Sequence, residues 1–230
     1  MSFLINPYSI TSGTITQIAA QLFRSTGNPG SSVSTNISMT NNAFRVFIVH
    51  WEFINPVTLT NCVVNGLNPT IIAQTYVTQG AGGVGIALLQ LRYPFASSTQ
   101  SFTMNFSNNV SSCSLNAYTI FRNSSDTPYT FQTGTKDTTG TLYNLGVPVL
   151  PNSLNIIAST NLVNSSITMS VSPSPPTLTL GYNSSVPATS SQFQQAASGI
   201  INATTTDYGV PIVSVTSSIA SGVYAAVTYI

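Results

Sequence analysis

The sequence predicts an all-β protein, an antiparallel β-sandwich of jelly-roll type with little helix. Three observations carry this. Short segments rich in β-branched and aromatic residues recur along nearly the whole chain. Clusters of Gly, Pro, Asn and Ser separate them at sandwich-like spacing: NPGSSVSTN (28–36), FASSTQ (95–100), SNNVSS (107–112), RNSSDTP (122–128) and SPSPP (172–176). Helical periodicity is scarce, and no fixed-period repeat points to a propeller or solenoid.

The elements follow in order. Residues 1–33 read as an N-terminal arm and residues 34–230 as the sandwich domain. In the arm, Ile15, Ile18, Ala19, Leu22 and Phe23 have helical spacing, and Gly27-Asn28-Pro29-Gly30 would stop such a helix. Thr/Ile alternation offers a strand over the same residues. Phe44 to Phe53 is a strand dense in aromatic and β-branched residues, and Thr70 to Val77 is another. Phe102, Met104 and Phe106 alternate with Ser101, Thr103, Asn105 and Ser107, the pattern of a half-buried strand. Cys113, Leu115, Ala117 and Thr119 alternate with Ser114, Asn116 and Tyr118. Leu154 to Ala158, Ile167 to Val171 and Thr177 to Tyr182 are strands. Gln192 to Ala197 suits one short helical turn. Ile212 to Thr216 and Tyr224 to Ile230 end the chain in a sheet.

Composition narrows the function. A chain of 230 residues can bury a real core in one large or two small domains. Charged residues are 4% of it, against about 25% in ordinary soluble domains. Hydrophobic residues are 42%, so this is not the signature of disorder. Arg24, Arg45, Arg92, Arg122 and Lys136 are scattered and form no phosphate-binding cluster, so no nucleic-acid partner is expected. A surface near neutrality has little self-repulsion and favours association. With so few titratable groups, tolerance of acid is expected. The N-terminal MSFLINPYSITSG has neither a basic n-region nor an apolar h-region, and no apolar run approaches the roughly 20 residues of a membrane span. Neither signal-peptide export nor a membrane partner is therefore expected.

The stretch QGAGGVGIALLQL, from Gln79 to Leu91, holds the one motif with the wording of a cofactor site. Gly80, Gly82 and Gly85 spell GxGxxG, the dinucleotide fingerprint. That fingerprint needs a helix after the glycines and an acid about 20 residues on. Here the apolar pattern must stop by Pro94, and the next acid is Asp126. The glycines therefore read as a hairpin turn, with Ala87, Leu89, Leu91 and Tyr93 on one face of the strand that follows. No cofactor is expected.

His50 and Glu52 are two apart and share a strand face, as half a metal site or an acid–base pair would. His50 is the sole histidine, however, and Asp126, Asp137 and Asp207 are distant in sequence. No metal ligand set, GxSxG elbow or close carboxylate pair is present. The pair reads as hydrogen-bonded or partly exposed, and no catalytic, cofactor or metal residues are assigned. Cys62 and Cys113 read as two small buried residues, with a bridge open if their strands are neighbours. The Asn-x-Ser/Thr triplets at Asn36, Asn105, Asn109, Asn123, Asn164, Asn183 and Asn202 carry no weight in so Ser/Thr-rich a chain.

The segment from Asn61 to about Thr160 resembles a β-sandwich domain of virion structural proteins of tailed bacteriophages and other viruses. The carrying residues are NCVVNGLNPT (61–70), VGIALL (84–89), SFTMNFS (101–107), VSSCSLNAYTI (110–120) and SLNIIA (153–158). They cover under half of the chain. The resemblance implies a virion part with no catalytic residues to carry over. The expected function is thus a non-enzymatic capsid or capsid-surface decoration subunit, assembled in the host cytoplasm. Its expected partners are copies of itself and other virion proteins, with host-surface glycans as a further class. The rival readings are a cell-surface filament or adhesion subunit joined by strand addition, and a carbohydrate-binding module.

Overall fold

The computed structural model describes residues 15–17, 23–39, 43–80, 82–93, 98–120, 127–136, 142–162, 167–173, 176–187, 193–202, 207–216 and 221–230. Among them there are fifteen strands and no helix. The strands are β1 (Ile15–Gln17), β2 (Phe23–Met39), β3 (Ala43–Phe53), β4 (Leu59–Val64), β5 (Thr70–Gln79), β6 (Gly82–Tyr93), β7 (Ser98–Ile120) and β8 (Thr130–Lys136). They continue as β9 (Leu142–Gly146), β10 (Leu154–Leu162), β11 (Thr168–Ser172), β12 (Leu178–Pro187), β13 (Phe193–Asn202), β14 (Ile212–Thr216) and β15 (Gly222–Tyr229). Every pairing is antiparallel.

Sheet A contains β1–β7, and β7 is its spine. The first half of β7 lies between β2 and β4; its second half pairs with β3, which continues through β6 to β5. The two halves fold over one another and enclose a core of their own. Val33, Ile37, Cys62, Phe102 and Met104 pack there against Phe47, Trp51, Leu89 and Leu115. Phe47 meets Phe102 edge to face at 5.1 Å, and Trp51 meets Phe106 at 5.7 Å. The opposite face of β3 and β6 packs on sheet B, ordered β12-β13-β10-β15-β8, through Val46, Ile48, Ile86, Ile156, Ala225 and Val227. Phe44 and Tyr229 make the aromatic contact of this interface, at 5.1 Å. The far face of sheet B packs on sheet C, ordered β11-β14-β9, through Ile157, Ala197, Ala226, Val213 and Val215.

The expected antiparallel sandwich is therefore a stack with three apolar interfaces. Its inner strands β3, β6, β10 and β15 are covered on both faces. Phe44 through Phe53 are all buried, as are Leu154 through Asn161. Strands covered on both sides read as continuous runs, while the outer strands keep the alternation of half-exposed ones. Phe102, Met104 and Phe106 are buried between more exposed neighbours, as expected.

Two predicted turns are strand. NPGSSVSTN lies inside β2 and SNNVSS inside β7. Their small polar residues serve a bulge: the β2–β7 register slips on either side of Gly30, which is paired with Val110. Bulges bend a strand without ending it, and near this point β7 exchanges β4 for β3. Gln192 to Ala197 belongs to β13 from Phe193 on, where pairing with β10 and β12 overrides any helical turn. Of the helical pattern at 15–23, Ile15 to Gln17 is strand paired with β7, and residues 18–22 lie outside the described residues. Within the segment read as an arm, β1 and the start of β2 are thus bonded along β7. In the quoted segment NCVVNGLNPT, Asn65 and Gly66 have φ of 47° and 82° and close a two-residue turn with reciprocal Val64–Leu67 backbone bonds.

The glycine stretch is a hairpin. Gln79 pairs with Gly82, and Gly80 takes φ 57° between β5 and β6. Gly83 and Gly85 answer a different need. They lie opposite Phe53 and Trp51 on β3, whose rings cover them. Ala87, Leu89 and Leu91 face the core inside sheet A, while Val84, Ile86 and Leu88 face sheet B, the register expected; the Tyr93 side chain lies outside the described residues. A Cβ on Gly85 would sit 2.2 Å from the Trp51 ring, and that ring is fully buried and fixed by an Nε1–H bond to the Val57 carbonyl. Gly85→Ala is expected to cost about 3 kcal/mol in urea unfolding. Gly80→Ala, with open space around it, should cost about 1 kcal/mol from its φ alone. Equal losses would contradict this account of the motif.

Candidate functional site

Strand β3 carries three ionisable side chains into the interior. Arg45, His50 and Glu52 are all fully buried. Alternation places His50 and Glu52 on the face toward sheet B, and Arg45 on the other, at the register position of Thr119. His50 pairs in register with Ser114 and Glu52 with Ser112. Asn116 and Tyr118 follow along the same face of β7. The result is a polar seam inside an apolar interface.

The seam joins the two sheets. His50 Nδ1 lies 2.6 Å from Thr160 Oγ1 of β10. Asn116 Nδ2 donates to Ser198 Oγ of β13 at 2.9 Å, and the Tyr118 hydroxyl is hydrogen-bonded to the same oxygen. Ser112 Oγ donates to Glu52 Oε2 at 3.1 Å. His50 and Glu52 thus share a face, as expected, but each takes a hydroxyl partner. His50 Nε2, Glu52 Oε1, Ser114 Oγ and Asn116 Oδ1 are buried without a protein hydrogen-bond partner. The sequence pointed to His50 and Glu52 and not to Thr160, Ser198, Asn116 or Tyr118. Their signal was weak: polar residues inside strands otherwise apolar enough to be covered on both sides.

Burial sets the ionisation. It pushes His50 from 6.5 down to about 3, so the ring is neutral at neutral pH. It holds Glu52 above its ordinary 4.5, against the pull of the Ser112 bond. Tyr118 is pushed up to about 12 by burial, with the Ser198 bond opposing. The His50–Thr160 and Asn116–Ser198 bonds between layers fix which residues face each other, since a slipped register would break them.

The other singled-out residues fall elsewhere. Cys62 and Cys113 are free, buried and held above the usual thiol range by desolvation; Cys113 Sγ lies 3.6 Å from Met104 Sδ. Gly80, Gly82 and Gly85 belong to the hairpin, which strand β6 follows directly. Among the described residues, no three His, Cys, Asp or Glu lie close enough to hold a metal ion, and no helix is long and apolar enough to cross a membrane. At the surface, Ile54, Asn55, Asn108, Asn109, Val110 and Ser111 line an uncharged open pocket of about 210 Å³ beside the bend of β7. Compared with known proteins, the chain matches no family model, no curated protein and no solved structure.

The seam makes stability depend on pH in a defined way. His50 has a depressed folded pKa, so the unfolded chain binds its proton first; stability falls as pH drops from 6.5 to about 3. At 1.36 kcal/mol per unit this amounts to at most about 5 kcal/mol, which opposes the tolerance of acid expected from the scarcity of titratable groups. Glu52 has a raised folded pKa, so its contribution is full below 4.5 and is lost as pH rises through the folded value. His50→Gln is expected to flatten the acid limb of a denaturation series between pH 6.5 and 3. An unchanged limb would show that His50 does not govern it.

Proposed function

We propose that the chain is a non-enzymatic structural subunit of a virion, a capsid or capsid-surface decoration protein that works by binding copies of itself and neighbouring virion proteins. On this reading it is assembled in the host cytoplasm and resides on the particle. The observation that carries the reading is where the few charges go. Arg45 and Glu52 are inside, and among the described side chains only Arg92, Lys136 and Asp207 bring charge to the surface. The outermost faces of the stack are instead arrays of hydroxyls and amides. On sheet A, Ser32 Oγ donates to Asn105 Oδ1, and the Ser34 and Thr103 hydroxyls are 2.9 Å apart. On sheet C, Ser214 Oγ donates to Asn144 Oδ1. Uncharged, sheet-borne surfaces of this kind lack the repulsion that keeps proteins apart. The resemblance of residues 61–160 to virion sandwich domains supports the same reading.

The second reading, a carbohydrate-binding module, is favoured by the asparagine-lined pocket beside Ile54, whose amides suit vicinal hydroxyls. Light scattering and negative-stain imaging of the purified chain over a concentration series separate the two. The structural reading expects ordered, concentration-dependent assembly that Ser34→Glu with Ser214→Glu weakens. A persistent monomer with affinity on a glycan array would overturn it in favour of the second.

A further inference from the structure

The polar seam between sheets A and B is only half paired by protein atoms. On the face that β3 and β7 turn toward sheet B, three rows follow one another: Glu52 beside Ser112, His50 beside Ser114, and Ile48 beside Asn116. Each row has one side chain tied by one of its two polar atoms. Glu52 Oε2 accepts from Ser112 Oγ, His50 Nδ1 is bonded to Thr160 Oγ1 of β10, and Asn116 Nδ2 donates to Ser198 Oγ of β13. These ties fix where the three side chains stand. The second polar atom of each, Glu52 Oε1, His50 Nε2 and Asn116 Oδ1, is buried without a protein partner, as is Ser114 Oγ in the middle row. None of these four residues is more than 1% exposed. A buried polar atom left unpaired costs more than its bond would contribute, and here four such atoms fall in successive rows of one interface.

We propose that the seam is a hydration site: two buried water molecules in file, one between Glu52 and the His50–Ser114 row, the other between that row and Asn116. Three arguments select this ligand. The first is reach. Successive rows lie two residues apart along the strands, roughly 6.8 Å, too far for a direct hydrogen bond between side chains already tied to their own partners. One water with two hydrogen bonds spans roughly 5.6 Å, and a slight lean of the side chains closes the difference. The second is chemistry. Asn116 Oδ1 can only accept, Ser114 Oγ can donate or accept, and a neutral imidazole has one nitrogen of each kind. Water donates twice and accepts twice, so it serves all of them. The third argument is against a metal ion. Glu52 and Asn116 are two rows apart, roughly 14 Å along the strands, so they cannot share one ion, and among the described residues Glu52 is the only acid of the seam. Two waters that each bind two of the four atoms and one another make three bonds apiece, about the number buried waters usually make. The alignment of sheet A on sheet B is then held by side chains and water together. This inference is independent of the assembly reading.

The full wild-type chain tests this first. A high-resolution crystal structure is expected to show two ordered waters, each about 3 Å from its partners among Glu52 Oε1, His50 Nε2, Ser114 Oγ and Asn116 Oδ1. In solution, oxygen-17 relaxation dispersion should count fewer long-lived waters in Ser114→Val, whose methyl groups take the centre of the file. Ser114→Ala gives a test by sign. If Ser114 is hydrogen-bonded to water, its loss should lower the equilibrium constant for folding roughly fivefold. If the hydroxyl is dry and unpaired, removing it should raise that constant instead. A seam without ordered solvent, a single metal ion there by anomalous scattering, an unchanged count of long-lived waters in Ser114→Val, or a stabilising Ser114→Ala would each overturn the proposal.

Discussion

Four strands covered on both faces over most of their length set the terms for the rest of this molecule. β3, β6, β10 and β15 lie between layers, so each must satisfy two apolar interfaces at once while its backbone bonds run only sideways. That requirement explains the small residues along and beside them. Gly83 and Gly85 make room for Phe53 and Trp51, and Gly134 on β8 lies under the Tyr224 ring, which in turn meets Tyr143 of sheet C at 5.6 Å. Larger residues at these positions would collide with the ring of the neighbouring strand in the same sheet. It also explains why polar groups on the inner strands appear in pairs that cross or follow the sheets, such as Thr228 Oγ1 donating to Asn155 Oδ1 at 2.6 Å.

The same constraint accounts for the unusual placement of charge. A stack this thin in solvent-facing strands spends its polar residues on register, inside, and on hydroxyl and amide arrays, outside. His50 shows how far this goes: the one imidazole in the chain is held neutral to bridge β3 to β10. Such a seam favours a single alignment of sheets over slipped ones. It serves the proposed structural role, in which a subunit must present the same faces to every neighbour.

Much of this was legible in the sequence. The all-β class followed from strand-like segments such as Phe44 to Phe53, and the hairpin reading of QGAGGVGIALLQL held down to which of its residues share a face. The turn signals at 28–36 and 107–112 misled because Gly, Asn and Ser report a departure from flat strand, and a bulge uses the same residues as a turn. The number of layers was hidden for another reason. A run such as LNIIAST shows that a strand is covered on both sides but not by which sheets, and that is settled by long-range pairings such as β10 with both β13 and β15. The seam was half visible: His50 and Glu52 stand out by type, whereas Thr160 and Ser198 are two among many hydroxyls.

Native-state hydrogen exchange tests most directly whether doubly covered strands govern the fold. If they do, amides of β3, β6, β10 and β15 exchange only through global unfolding, with one shared free energy and denaturant dependence. Amides of β10 and β15 exchanging at a distinctly lower free energy than those of β3 and β6 would contradict this, because sheets B and C would then open as a unit separate from sheet A.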